Sequence, residues 1–322
     1  MSMDAEAIVD RRRLRRKLSF WRVLSVLALI AAVVGIGVAA GGRMAATTGG
    51  AHIARVQVDG FIGGSQATSD LLRRVGESRA VSGVVISINS PGGTTTGAEE
   101  LYRNIRRLAE RKPLVAFVDG TAASGGYITA LAADRIVARE TSLIGSIGVI
   151  LQFPQASALL EKIGVGVEEI KSSPLKAEPS GYKPTPPEAR EALQNVVNDT
   201  YEWFKGLVAT RRSYNPEELN RVADGRVFNG RQALGLKLVD ELGSERDAIA
   251  WLEREKGVRR DLPVRNWEPR SNTDFSLFTW AAFGADLLGL EGPARHLRQM
   301  SLVIPQAQLD GLLAVWHPAA EK

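Results

Sequence analysis

The sequence contains no cysteine, and only three of its 322 residues are histidine. The absence of cysteine excludes disulfide bonds, thiolate metal ligands and a cysteine nucleophile. The three histidines, His52, His296 and His317, lie outside the strands and helices of the predicted core. We therefore do not expect a Ser-His-Asp arrangement, and we predict neither a metal ion nor a cofactor.

An excess of basic residues is confined to the N-terminus. Residues 1–43 contain eight Lys or Arg and three acidic residues, which accounts for the whole net charge of +5. The rest of the chain carries 33 basic and 33 acidic side chains. Because this body has no net positive charge, it lacks the electrostatic footprint of a nucleic-acid-binding protein, and no nucleic-acid partner is predicted.

One apolar run is long enough to cross a bilayer. Residues 23–40 carry no charge, and only Ser25 is polar. As a helix this run reaches about 27 Å, close to the hydrocarbon thickness. Seven basic residues precede it, so we predict a transmembrane anchor that leaves residues 1–22 in the cytoplasm and exports the remainder of the chain. The alternatives are a signal peptide cleaved after Val38-Ala39-Ala40 and a buried helix of the soluble domain.

Strands and helices alternate after a short linker at residues 41–51. This rhythm predicts an α/β domain over residues 52–258, built on a parallel sheet with helices on both faces. Residues 259–322 form a C-terminal extension of unknown role, with three tryptophans. The predicted strands are Ile53–Val58, Val84–Ile88, Leu114–Val118, Arg135–Ala138 and Val165–Ile170. The predicted helices are Ala67–Ser78, Gly97–Arg111, Gly125–Ala133, Glu188–Arg212 and Pro216–Ala223.

Two glycine-containing turns come directly after predicted strands, where α/β folds collect their active sites. The segment Ile88-Asn89-Ser90-Pro91-Gly92-Gly93 allows a close approach of backbone N–H groups to a ligand; the alternative is a plain connector. In Asp119–Tyr127, Ser124 precedes Gly125 at the start of a helix, where the helix dipole and the Gly125 N–H would face a reacting carbonyl oxygen. The alternative is that Ser124 is an ordinary N-cap.

A lysine is the candidate base for this serine. A lysine amine accepts a proton when burial has depressed its pKa. Lys176 lies between Leu175 and Ala177, in the proline-rich segment Ser172–Pro187, and a loop of this length is usually functional. Lys171 and Lys183 lie nearby and remain alternatives, as does the interpretation of Lys176 as a surface lysine.

Four motifs together resemble the signal peptide peptidase A family, which has the crotonase/ClpP-like fold, a superhelix of repeated β-β-α units. They are NSPGG, AASGGY, GSIGV and IKS…K-x-E-P, in this order. The resemblance implies that Ser124 is the nucleophile, that Lys176 is the general base and that Ser146 orients the lysine amine. It also assigns the oxyanion hole to Gly125 and to either Gly92 or Gly93.

The resemblance further implies a short-form, homo-oligomeric enzyme in which the lysine of each site comes from a neighbouring subunit. We therefore predict a serine endopeptidase of the bacterial inner membrane, with its catalytic domain outside the cytoplasm. Its predicted substrates are peptides such as signal peptide remnants. The alternatives are an inactive membrane scaffold and an acyl-CoA hydratase or isomerase of the same fold.

Overall fold

A mostly parallel β-sheet forms the centre of the protein. The structure is a computed structural model that describes residues 17, 21, 25 and 50–269 and the backbone of residues 312–315. The chain divides into two units, residues 1–51 and 52–322. The strands of the second unit are β1 (His52–Ile62), β2 (Val81–Thr94), β3 (Leu114–Ala123), β4 (Ile136–Ala138), β5 (Leu143–Gly145), β6 (Ile150–Leu151), β7 (Val227–Asn229), β8 (Glu241–Leu242), β9 (Val264–Trp267) and β10 (Leu312–Val315).

The parallel part of the sheet runs β9-β1-β2-β3-β4-β8. The end of β3 also pairs in parallel with β5, and β5 pairs antiparallel with β7. Strand β10 lies antiparallel between β2 and β6. The α/β class and the parallel sheet predicted from the sequence are therefore confirmed.

Helices connect the strands: α1 (Gln66–Glu77), α2 (Thr95–Ala109), α3 (Gly125–Leu131), α4 (Ser157–Lys162), α5 (Pro187–Arg212), α6 (Pro216–Val222), α7 (Gly230–Gly235) and α8 (Glu245–Glu255). The first two begin where the sequence offers a cap. The Ser65 side chain accepts a hydrogen bond from the Thr68 N–H, and Thr94 accepts one from Gly97.

The sheet is covered on both faces, as the alternation of strands and helices predicts. In β2, Val84 and Ile86 belong to the larger apolar cluster, which includes Phe204 of α5. Val85, between them, belongs to the smaller cluster with Trp251 of α8. Because successive side chains of a strand point to opposite faces, a continuous apolar run is what a doubly covered strand requires.

Two sequence predictions are wrong in this region. Residues 165–170 form no strand. Their apolar members are exposed, and a strand needs a partner for its backbone N–H and C=O groups. The segment Ile88–Gly93, predicted as a turn, lies within strand β2, which continues to Thr94 with an irregular register after Ile88.

The predicted anchor, residues 23–40, lies outside the described residues except for Ser25. Residues 1–22 and 41–51 also lie mostly outside them. Within the part of the chain that the structure describes, no helix has the length and the apolar character needed to cross a membrane. Of the C-terminal extension, residues 259–269 and 312–315 are described.

Candidate active site

The end of β2 is held by Ser90, a buried residue that was not predicted from the sequence to have a role. Its hydroxyl donates a hydrogen bond to the Gly60 carbonyl oxygen at 2.6 Å. The same Oγ accepts a hydrogen bond from the Gly92 N–H at 3.1 Å. The Gly92 N–H is therefore already engaged within β2, and Gly92 has a φ of +118°, which favours glycine.

Gly93 lies directly against β1. A Cβ atom at this position would stand 1.8 Å from the carbonyl oxygen of Ile62, so only glycine fits. This close approach explains the second glycine of the NSPGG motif. It brings the backbone of residues 92–94 to the sheet edge where β10 pairs.

Ser124 occupies a strained corner between β3 and α3. Its φ is +53° and its ψ is −116°. Such a conformation costs a non-glycine residue about 1–3 kcal/mol and is concentrated at functional sites. The residue is 1% exposed, and its N–H donates to the Gly145 carbonyl oxygen at 2.8 Å.

Ser124 stands at the N-cap of α3, but its side chain makes no capping hydrogen bond. The alternative interpretation of this serine as an ordinary cap is therefore not supported. Gly125 begins the helix, so its N–H belongs to the first turn, where backbone donors have no partner within the helix.

Ser146 lies at the end of the neighbouring strand β5. Ala123 and Gly145 are register partners in β3 and β5, so Ser124 and Ser146 each come directly after one member of the same pair. Ser146 also has a positive φ, +50°, and its N–H donates to the Arg226 carbonyl oxygen at 2.8 Å. The structure thus brings the two serines together at one end of the sheet.

Glycine and tyrosine fix α3 behind this corner. A Cβ atom on Gly126 would stand 2.6 Å from the Ser90 carbonyl oxygen, so α3 packs directly against β2. The Tyr127 hydroxyl donates to the Leu238 carbonyl oxygen at 2.8 Å. Complete burial raises the pKa of Tyr127 well above its usual value, so this tyrosine is a structural anchor.

The candidate lysines differ sharply in their surroundings. The Lys171 and Lys183 amines each lie 2.8 Å from the Glu178 carboxylate and within 3.1 Å of Glu169. These hydrogen bonds, above all those to Glu178, raise the pKa of both lysines. A raised pKa disfavours the neutral amine that a general base requires.

Lys176 is exposed at the surface of the single chain. Its backbone N–H donates to the Ser173 carbonyl oxygen at 3.1 Å, which closes a turn. Within residues 50–269, no hydrogen bond or ion pair engages its amine, and none joins it to Ser124 or Ser146. The single chain therefore brings the two serines and the glycines together, but it does not join Lys176 to them.

Glu178 is a second residue that sequence reasoning missed. Its side chain is 1% exposed. Hydrogen bonds from Lys171 and Lys183 lower the pKa of this carboxylate to about 2. The sequence contains one indication of this cluster, because acidic and basic residues alternate in the order Glu169, Lys171, Glu178 and Lys183. Only the folded loop shows that these residues form ion pairs.

Comparison with known proteins places the chain among peptidases. Residues 106–259 match the model of peptidase family S49. A putative protease of Methanocaldococcus jannaschii is 35% identical over 215 residues, covering 67% of this chain and 69% of the relative. A putative protease of Synechocystis is 38% identical over 211 residues, covering 65% of this chain and 76% of the relative.

A third relative is the chloroplastic serine protease SPPA of Arabidopsis thaliana. It is 31% identical, and the match covers 85% of this chain but 42% of the longer relative. The fold and the relatives together define an α/β serine peptidase. The chain belongs to peptidase family S49, the family of the signal peptide peptidases A, as the four sequence motifs predict.

Proposed function

We propose that this peptidase is a membrane-anchored endopeptidase in which Ser124 is the nucleophile and Lys176 the general base. The observation that carries the proposal is the conformation of Ser124. It is a buried serine, held at a positive φ at the end of a parallel strand, with no capping role. A serine on a strained strand-to-helix turn is the form in which α/β hydrolases present a nucleophile.

The proposed reaction is acyl transfer to Ser124. The Ser124 Oγ attacks the carbonyl carbon of the scissile peptide bond while its proton passes to the neutral Lys176 amine. When the tetrahedral intermediate collapses, the C–N bond breaks and the lysine returns the proton to the leaving amine. A water molecule then hydrolyses the acyl ester, and Ser124 recovers its proton.

The proposed oxyanion hole consists of the N–H groups of Gly125 and Gly93. The Gly125 N–H is at the positive end of α3 and has no acceptor within the helix. Of the two glycines on β2, Gly93 is the better candidate, because the Gly92 N–H donates to Ser90. Donors of this kind each contribute about 3–4 kcal/mol to transition-state stabilisation in serine proteases.

Lys176 is the proposed base because Lys171 and Lys183 are paired with Glu169 and Glu178. We propose that the Ser146 hydroxyl accepts a hydrogen bond from the Lys176 amine and orients it. A lysine base also needs burial. The single chain leaves Lys176 exposed, so a neighbouring subunit would supply both the burial and the serine.

Exposed hydrophobic side chains along residues 150–182 support homo-oligomerisation. Residues 150–182 expose nine large hydrophobic side chains: Ile150, Phe153, Leu159, Ile163, Val165, Val167, Ile170, Leu175 and Tyr182. Ile170 is the most exposed of them, at 98%. Large exposed apolar patches mark association surfaces. Lys176 lies in the same stretch of the chain, and we propose that contact of this stretch with a second copy buries it.

The proposed anchor is residues 23–40, which would place the active site outside the cytoplasm, near the bacterial inner membrane. Apolar peptides such as signal peptide remnants concentrate there and are the proposed substrates.

The proposed fold is the crotonase/ClpP-like superhelix. In support, β2 and β3 pair with each other at their starts, within the central sheet. Beyond that, the end of β2 pairs with β10 and the end of β3 pairs with β5.

A serine-directed fluorophosphonate tests the proposal. The wild-type chain should be labelled on Ser124 and should cleave a fluorogenic peptide, whereas Ser124→Ala should lose both by several orders of magnitude while keeping its fold. The matched control is Ser142→Ala. Ser142 is also buried, and its hydroxyl donates to the Val118 carbonyl oxygen at 2.9 Å. This control should lose about 1 kcal/mol of stability and keep its activity. An unlabelled wild type, or an active Ser124→Ala chain, would contradict the proposal.

A further inference from the structure

Four charged residues of alternating sign meet at the base of the loop that carries Lys176. They are Glu169, Lys171, Glu178 and Lys183, and we call them the charge cluster. The Lys171 amine lies 3.0 Å from the Glu169 carboxylate and 2.8 Å from that of Glu178. The Lys183 amine lies 3.1 Å and 2.8 Å from the same two carboxylates. Because each lysine contacts both glutamates, the cluster is closed and has no net charge.

Glu178 is the most buried member of the charge cluster. Its side chain is 1% exposed, whereas that of Lys171 is 15% exposed and that of Lys183 is 47% exposed. The Glu178 carboxylate also accepts a hydrogen bond from the Ser180 N–H at 3.2 Å. Donors from both ends of the loop and from its middle therefore converge on one carboxylate.

The charge cluster fixes a loop that lies on the surface. Residues 172–177 are all exposed. Lys171 and Lys183 stand at the two ends of this loop, and Glu178 stands inside it, so the chain returns to the same point from both sides. Lys176 lies two residues before Glu178. Its backbone is held between the turn to Ser173 and this buried carboxylate.

The energetics of such a cluster favour a role in positioning. The cost of removing charges from water offsets most of the attraction in a buried ion pair, so such pairs are weak evidence for stability. Their geometry can instead select one conformation of the chain. A general base needs that selection, because a displacement of about 1 Å can cost about 100-fold in rate.

The charge cluster also leaves the Lys176 amine unpaired. Glu178 is the acidic residue nearest to Lys176 in the sequence, and its carboxylate is engaged by Lys171 and Lys183. An ion pair with Glu178 would hold the Lys176 amine in its charged form, which cannot accept a proton. The two flanking lysines thus keep the third one available.

We propose that Glu178 is a positioning residue, which holds Lys176 through the charge cluster in the place from which its amine reaches Ser124 of a neighbouring subunit. This inference rests on the proposed function. Glu178 is not a catalytic residue in it, because it acts through Lys176 and not on the substrate. Loss of one lysine leaves the other on Glu178, so Glu178 is the member whose replacement tests the inference.

Glu178→Gln keeps the shape of the side chain and removes the charge that both lysines bind. Its kcat should fall about 100-fold, while its KM should change by less than about twofold. Labelling by fluorophosphonate should slow to a similar degree. The matched control is Glu241→Gln, at a half-buried glutamate that lies 2.9 Å from Arg135. This control should keep its kcat when both variants are assayed well below their Tm. A Glu178→Gln enzyme with wild-type kcat, or with a change in KM alone, would overturn the inference.

Mixed oligomers separate positioning from a general structural role. Ser124→Ala chains supply the lysine of a shared site, and Lys176→Ala chains supply the serine. Glu178→Gln added to the Ser124→Ala chain should lower the restored activity about 100-fold. The same substitution in the Lys176→Ala chain should leave that activity unchanged, which would also show that the variant folds and assembles. Equal losses in the two mixtures would show a merely structural role and overturn the inference.

Hydrogen exchange tests the hold on the loop without an activity assay. The backbone N–H groups of Lys176 and Glu178 donate to the carbonyl oxygens of Ser173 and Leu175. In Glu178→Gln these amides should exchange about tenfold faster or more, as measured by mass spectrometry, and in Glu241→Gln they should exchange as in the wild type. If no chain is active, the proposed function fails, and exchange still decides about the loop. Faster exchange in Glu178→Gln then supports the hold on Lys176, and equal exchange overturns it.

Discussion

The backbone N–H of Ser124 donates a hydrogen bond to the carbonyl oxygen of Gly145 at 2.8 Å. This bond extends the pairing of β3 with β5 by one residue beyond Ala123, and it holds Ser124 across from Ser146. Both serines have a positive φ. Because the Ser124 N–H is engaged by Gly145, the proposed oxyanion donor at this corner is the N–H of Gly125.

The contact of α3 with β2 predicts a steric requirement at Gly126. In Gly126→Ala the new Cβ would stand 2.6 Å from the Ser90 carbonyl oxygen. Because this neighbour is backbone, we expect a loss of about 1–3 kcal/mol in the free energy of unfolding. The matched control is Gly206→Ala in α5, where no atom outside the adjacent backbone of the same helix lies within 4 Å of the new Cβ. This control should gain about 0.5–1 kcal/mol because alanine is the better helix former. Urea unfolding measures both, and equal stabilities would contradict the packing.

The difference between the lysines predicts unequal losses of activity. Lys176→Ala should reduce kcat as severely as Ser124→Ala, because the serine would lose its proton acceptor. Lys183→Ala should retain most of kcat, because Lys183 is paired with Glu169 and Glu178. Peptide hydrolysis measures both variants. The assignment fails if Lys176→Ala remains active, or if Lys183→Ala is the inactive one.

A site shared between subunits predicts complementation. Ser124→Ala and Lys176→Ala chains, each inactive alone, should regain part of the activity when they are mixed under conditions that exchange subunits. Some interfaces would then combine an intact serine with an intact lysine. Mixed oligomers that form and stay inactive would refute the shared site, and so would an active monomer.

The exposed apolar surface predicts the effect of a charge on assembly. Ile170→Glu places a carboxylate at the most exposed of these hydrophobic side chains, so its burial in an interface would be costly. We expect dissociation of the oligomer and loss of activity, as measured by analytical ultracentrifugation and peptide hydrolysis. Leu234→Glu, at an exposed hydrophobic residue on α7, is the control and should leave assembly unchanged. A monomeric wild type would remove the basis of this prediction.

The Glu178 carboxylate predicts a pH-dependent contribution to stability. Its folded-state pKa is lowered from 4.5 to about 2, first by the hydrogen bond from Lys171 and then by that from Lys183. A lowered pKa stabilises the folded state above pH 4.5, and this contribution is lost as the pH falls through about 2.

The Tm of Glu178→Gln should therefore lie below that of the wild type at neutral pH, and the difference should shrink between pH 4.5 and pH 2. Thermal melts across this range measure it. Glu202→Gln, at an exposed glutamate paired with Lys205, should differ little from the wild type at any pH. A difference that is independent of pH would show that the charge of Glu178 is not the cause.

The strands of the core could be predicted because each contains a continuous run of apolar residues, which can be recognised from the local sequence. Val84–Ile88 and Leu114–Val118 lie within β2 and β3, and both are covered on two faces. The failure at residues 165–170 has the opposite cause. Their β-branched residues favour a strand, but a strand also needs a neighbour, and the neighbouring chain segment is not a property of the local sequence.

The prediction of a turn at Ile88–Gly93 was wrong for a related reason. Proline and two glycines are typical of a turn. Here the same glycines permit the close approach to Ile62, and they let the chain continue as an irregular strand. The motif was recognised, but its conformation depends on β1, which lies thirty residues earlier.

The α/β class, the family and the identity of the corner serine could all be determined from the amino-acid order, because apolar periodicity and motif order are properties of neighbouring residues. The use of those residues was decided by the tertiary structure. It set Ser124 beside Ser146, engaged the Gly92 N–H with Ser90, paired Lys171 and Lys183 with Glu178, and laid the C-terminal strand along Gly93. The pairing of β3 with β5 and that of β2 with β10 join residues that are distant in the chain. The contacts of Ser90 and Glu178 join nearby residues, but they depend on the backbone conformation that the folded chain imposes.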